Sequence, residues 1–89
     1  MTKTFLYTIQ VLLSDRLGDK HDPCNQYHRI VPAIARKHGG TIDGGGCYIG
    51  VLPPGAARMY DMEVEVSRKG AAAFEADLQE AGLTFTKQA

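Results

Sequence analysis

"RMYDMEVEVS", residues 58–67, alternates without a break. In an extended chain Tyr60, Met62, Val64 and Val66 fall on one side, and Met59, Asp61, Glu63 and Glu65 on the other. The stretch reads as a strand with one apolar face for a core and one acidic face. Residues 4–13 repeat the pattern. Phe5, Tyr7, Ile9, Val11 and Leu13 make an apolar face, while Thr4, Leu6, Thr8, Gln10 and Leu12 make a mixed one, which suits a central strand.

Between these strands the period changes from two to three and four. Residues 14–21 read as a polar loop around Gly18. Asp22-Pro23 is predicted as helix cap and first helical residue, since the carboxylate accepts free N–H groups and proline has none to lose there. Tyr27, Ile30, Val31, Ile34, Ala35 and His38 then form one stripe. Pro32 should clash with the His28 carbonyl and kink this helix, or restart it at Val31. Gly39 and Gly40 end it, with Arg36, Lys37 and His38 at the negative end of the dipole. Residues 41–52 (TIDGGGCYIGVL) read as a strand interrupted by Gly44, Gly45 and Gly46, and Pro53-Pro54-Gly55 as a loop. Ser67 is the expected cap of a second helix, with Ala71, Phe74, Leu78 and Ala81 as its buried stripe. Gly82 closes it, and Leu83 and Phe85 alternate with Thr84 and Thr86 in a short last strand.

The order βαββαβ resembles the ferredoxin-like fold group, over residues 1–89 as one domain. The resemblance implies an α+β two-layer sandwich: a four-stranded antiparallel sheet covered on one face by two helices, with the first and third strands central. It is a resemblance of architecture alone, and this architecture hosts many unrelated activities.

Composition narrows the classes. The chain has 89 residues, 44% of them apolar, enough for one modest core to which a partner could add stability. Its two cysteines, with no secretory signal pattern, argue against a disulfide framework. The apolar run Phe5–Leu13 is too short for a bilayer, so a cytoplasmic protein without membrane association is expected. Ten basic and ten acidic residues cancel, but residues 1–58 hold seven Lys/Arg against four Asp/Glu, and residues 59–89 hold three against six. A dipolar surface follows.

Residues 19–28 (DKHDPCNQYH) concentrate potential ligands. His21, Cys24 and His28 could supply three ligands to zinc, with Asp19 or Cys47 as a fourth. Paired C-x-x-C and H-E-x-x-H spacings are absent, and Asp22-Pro23 already has a structural explanation, so a helix start is the preferred reading and no metal or cofactor is expected. Cys47 after the glycine run could be a nucleophile only with a base and an orienting group beside it, and a strand cysteine is usually a small hydrophobe. The run GGTIDGGG lacks the Gly-Lys-Ser/Thr of a phosphate loop.

Arg29, Arg36 and Lys37 should share the outer face of the first helix, where a phosphate backbone could bind. RNA binding on the sheet is disfavoured, because the open face carries Asp61, Glu63 and Glu65 and no aromatic residue. Leu6, Leu12 and Met59 on that face suit contact with a second copy or another protein. The expectation is a small non-enzymatic regulatory or inhibitory protein that binds a macromolecular partner. Leu6, Met59, Asp61, Glu63, Glu65, Arg29, Arg36 and Lys37 are the candidate contact residues. Small inhibitors of phages and mobile elements, anti-CRISPR proteins among them, are similar in size and fold. The competing readings are an enzyme or metal or small-molecule binder using His21, Cys24 and His28 or the Gly44–Cys47 loop in a dimer cleft, and a nucleic-acid binder using the basic helix.

Overall fold

The computed structural model of the protein describes residues 3–44 and 59–88. Strand β1 (Thr4–Leu12) leads into a short helix α1 (Leu13–Leu17). After a loop, a π-helical segment (Gln26–Ile30) passes directly into α2 (Val31–Lys37), followed by β2 (Thr41–Gly44). Strand β3 (Met59–Ser67), helix α3 (Arg68–Glu80) and strand β4 (Thr84–Gln88) complete the order. The sheet runs β2-β3-β1-β4 with every neighbouring pair antiparallel. The α+β class and the antiparallel sheet are as expected, and the arrangement is compatible with a ferredoxin-like one.

The two alternating strands are the central pair. They run in register from Thr4 opposite Ser67 to Leu12 opposite Met59. Tyr7, Ile9 and Val11 of β1 therefore meet Val64, Met62 and Tyr60 of β3 across the sheet, and all six are buried. Val31 and Ala35 of α2 and Ala71, Phe74 and Leu78 of α3 join the same cluster. Removing a side chain such as Phe74 or Leu78 from water is worth about 1.5–3 kcal/mol. Tyr7 packs its ring 5.0 Å from that of Phe74 and donates its hydroxyl to Glu75 at 2.7 Å, so a deep tyrosine keeps a polar partner. Burial, and then the Glu75 hydrogen bond and charge, push the Tyr7 hydroxyl well above its usual range.

Four local expectations are corrected. The first helix does not start at Asp22-Pro23. Asp22 closes a turn instead: its carboxylate accepts from Cys24 N at 2.9 Å and its carbonyl from Asn25 N at 3.0 Å. Asn25 caps the helical segment, with its side-chain oxygen accepting from His28 N at 2.7 Å. Residues 14–21 are not all loop, since Leu13 opens α1 instead of ending the strand. Ser67 occupies the cap position of α3, but its side chain makes no capping hydrogen bond. Ala81 lies beyond α3 and is exposed.

Pro32 acts as its chemistry requires. Immediately before it the helix widens, with Ile30 N bonding to Asn25 O and Val31 N to Gln26 O, five residues back in each case. The wide turn brings the chain to a proline without the usual clash, and the α-helix begins at Val31. Gly39 and Gly82, at φ +68° and +74°, end α2 and α3 in a conformation that a side chain would strain.

Asp77 of α3 ties the two longer helices together. Its Oδ2 lies 2.7 Å from His38 Nε2 and 3.1 Å from Lys37 Nζ. The His38 and Lys37 hydrogen bonds hold the Asp77 carboxyl below the usual carboxylate range. A carboxyl so lowered adds stability above its unfolded-state pKa and loses it as pH falls through the folded value. Asp77→Asn is therefore expected to lower the urea midpoint near neutral pH. The deficit relative to wild type should shrink below about pH 4, the ordinary Asp range. Urea titrations of both proteins across that range check it.

Candidate functional site

Pleating sends the remaining side chains of the sheet to its opposite side. Register pairs Leu6 with Glu65, Thr8 with Glu63, Gln10 with Asp61 and Leu12 with Met59. On the other flank of β1, Leu6, Thr8 and Gln10 meet Gln88, Thr86 and Thr84 of β4. On the far edge Thr41 lies opposite Glu65, and a bulge between Ile42 and Gly44 interrupts the register around Asp43. Each of these side chains is half-buried or exposed, in contrast to the buried pleat behind them.

Among the described strand residues, charge on this face has one sign. Its ionisable side chains among the described strand residues are Asp43, Asp61, Glu63 and Glu65. The ion pairs Lys37–Asp77, His38–Asp77 and Lys87–Glu75 lie on the helical side. Arg16 over Tyr60 and Arg68 and Lys87 over Phe5 also belong to the pleat that carries the core. Among the described residues the ion pairs and cation–ring contacts thus lie behind the sheet and none involves the acidic row, where Thr4 donates its hydroxyl to Glu65. Crowding raises the Asp43 carboxyl above its usual range: desolvation leads, followed by the Glu65 hydrogen bond and the charges of Glu65 and Glu63.

Leu6 and Met59 sit beside this row, half-buried, as the pattern predicted. The three basic candidates do not stay together. Arg29 and Arg36 line one cleft, whereas Lys37 turns toward Asp77. Residues 19–28 form no ligand cluster. Cys24 is exposed. His28 is half-buried with Nε2 3.0 Å from the Arg16 carbonyl. His21 Nδ1 lies 3.3 Å from Arg29 Nη2. Among the described residues no three His, Cys, Asp or Glu side chains converge as metal ligands. Cys47 and the glycines before it, apart from Gly44 in β2, lie outside the described residues.

The residue that organises the loop is Asn25, which periodicity and motif reading passed over. It is 4% exposed, and Nδ2 donates to the Asp15 and Asp19 carbonyls at 2.8 and 3.1 Å. Only an amide side chain can give these two bonds and also accept from His28 N. Asp15 accepts from Gln26 N at 3.0 Å, and Gln26 Oε1 accepts from Leu12 N at 3.2 Å, so the loop is fastened to the end of β1. The one usable sequence signal was the pair of alternative caps, Asp22 and Asn25, three residues apart.

Compared with protein-family models, curated proteins and solved structures, the chain matches none.

Two outcomes follow from this geometry. Asn25→Ala removes the hydrogen bonds of a buried side chain to the Asp15 and Asp19 carbonyls and the His28 N–H and is expected to cost about 2–3 kcal/mol, read as a lower urea midpoint. Asp43→Asn is expected to raise the midpoint near pH 7. The raised Asp43 pKa means that the native state loses stability as pH climbs from the unfolded to the folded value. The gain from Asn should therefore vanish at pH values where wild-type Asp43 is already protonated. Equal midpoints for the two proteins at neutral pH would contradict the crowding.

Proposed function

We propose that this is a non-enzymatic binding protein of ferredoxin-like build that docks a basic protein surface on its open sheet face and so regulates or blocks it. The observation that carries this reading is the sorting of charge. Four carboxylates share one pleat with Leu6, Leu12 and Met59, while the ion pairs lie on the other side. Like charges crowded on one face are a cost to the isolated chain, and a cationic partner would reduce it. The apolar residues beside the row would supply area, and the carboxylates would supply orientation and encounter rate.

The same feature weighs against two other occupants. A second copy meeting this face across a two-fold axis brings the acidic rows into a single interface, where they repel. A nucleic acid brings phosphates to carboxylates. A basic protein surface, including one that itself binds nucleic acid, fits both the charge and the apolar contacts.

Reversal of the row tests this directly. Asp61→Lys, Glu63→Lys and Glu65→Lys combined should weaken capture of the wild-type partner by at least roughly tenfold. The neutral Asp61→Asn, Glu63→Gln, Glu65→Gln variant should fall between, and added salt should weaken wild type most. Unchanged affinity of the reversed variant, with circular dichroism showing it folded, would overturn the assignment of the face.

A further inference from the structure

The loop and the π-helical segment enclose a second feature, independent of the sheet face. A cleft of about 560 Å³ opens between them, a volume in the range of small-molecule sites. Its ionisable lining is His21, His28, Arg29 and Arg36, with no carboxylate, and Ile30 and Pro32 form part of an apolar wall. The smaller cleft beside α3, about 310 Å³, differs in kind: Asp77 and Glu80 line it with Lys37, and Asp77 already pairs with that lysine.

The cationic lining is held in place. Arg29 Nε donates to the Lys20 carbonyl at 2.7 Å, and Nη2 faces His21 Nδ1 at 3.3 Å, which leaves other guanidinium N–H groups to bond elsewhere. His28 Nε2 is fixed on the Arg16 carbonyl. The nearby acids are turned into the loop, with Asp19 and Asp22 accepting from the His21 and Cys24 N–H groups. The Arg36 side chain is exposed and makes no ion pair or hydrogen bond among the described residues. The widened turn that Pro32 imposes shapes the wall between the two arginines.

We infer that this cleft binds a phosphate monoester with a ring or other apolar body, the dianion lying between Arg29 and Arg36 and the body against Ile30 and Pro32. Two guanidinium groups without a facing carboxylate suit a dianion better than a single carboxylate, because guanidinium N–H groups match phosphate oxygens in pairs and keep their charge. The apolar wall adds affinity that inorganic phosphate cannot use.

The test is an amide-shift titration of the full 15N-labelled chain with adenosine monophosphate, inorganic phosphate and adenosine as probes. The nucleotide should give saturable shifts confined to His21, Arg36 and the residues of the π-helical segment. Phosphate should bind the same residues several-fold more weakly, and adenosine should be weaker again. Arg36→Gln should reduce nucleotide affinity about tenfold while Lys69→Gln, which removes a charge from α3, leaves it unchanged. Both positions are exposed, and the unshifted remainder of each spectrum reports that the fold is kept. Absence of saturable shifts with both phosphate-bearing probes, nucleotide shifts that survive Arg36→Gln, or phosphate binding as tightly as the nucleotide would each overturn the inference.

Discussion

The pairing of β1 with β3 is the constraint on which the rest depends. Nine residues of each strand run in unbroken antiparallel register, so one pleat carries Tyr7, Ile9, Val11, Tyr60, Met62, Val64 and Val66 and the other carries everything polar. A slip of one residue would exchange the two faces and put Asp61, Glu63 and Glu65 in the core. Hydrophobic burial therefore selects the register, and the register in turn places the acidic row in the open. The surface proposed for binding is a by-product of the core's own alternation.

That dependence explains what could be read from residues alone. The central strands, the acidic face and the buried stripe of α3 follow from period-two and period-three-to-four spacing, which are local properties. The start of the first long helix is not local. Asp22-Pro23 and Asn25 both satisfy the rules for a helix start, and the choice between them rests on Asp15 and Asp19, whose carbonyls accept the two N–H groups of a buried amide. Asp22 cannot donate; Asn25 can. The site was legible in the same proportion. The acidic row is written along one strand, whereas the cleft needs a loop residue, His21, brought beside Arg29 by tertiary hydrogen bonds. The separation of Lys37 from the two arginines likewise depends on Asp77, forty residues further along the chain.

The charge arrangement links the fold to its proposed use. On the helical side Lys37 pairs with Asp77, Lys87 with Glu75, and Arg68 lies over Phe5, while His38 Nε2 also lies 2.7 Å from Asp77 Oδ2. These contacts help to lock the helices onto the sheet, and among the described residues no ion pair forms on the opposite face. The two carboxyls that report on this division move in opposite directions, Asp77 down beside His38 and Lys37, and Asp43 up beside Glu65 and Glu63.

The measurement that tests this division most directly is a pH titration of the side-chain carboxyl 13C resonances in the isolated protein. Asp43 is expected to titrate above the ordinary aspartate range and Asp77 below it in one sample. Asp43 and Asp77 titrating together, or in the reverse order, would contradict the sorting of charge between the two sides of the sheet, and with it the basis for a binding face.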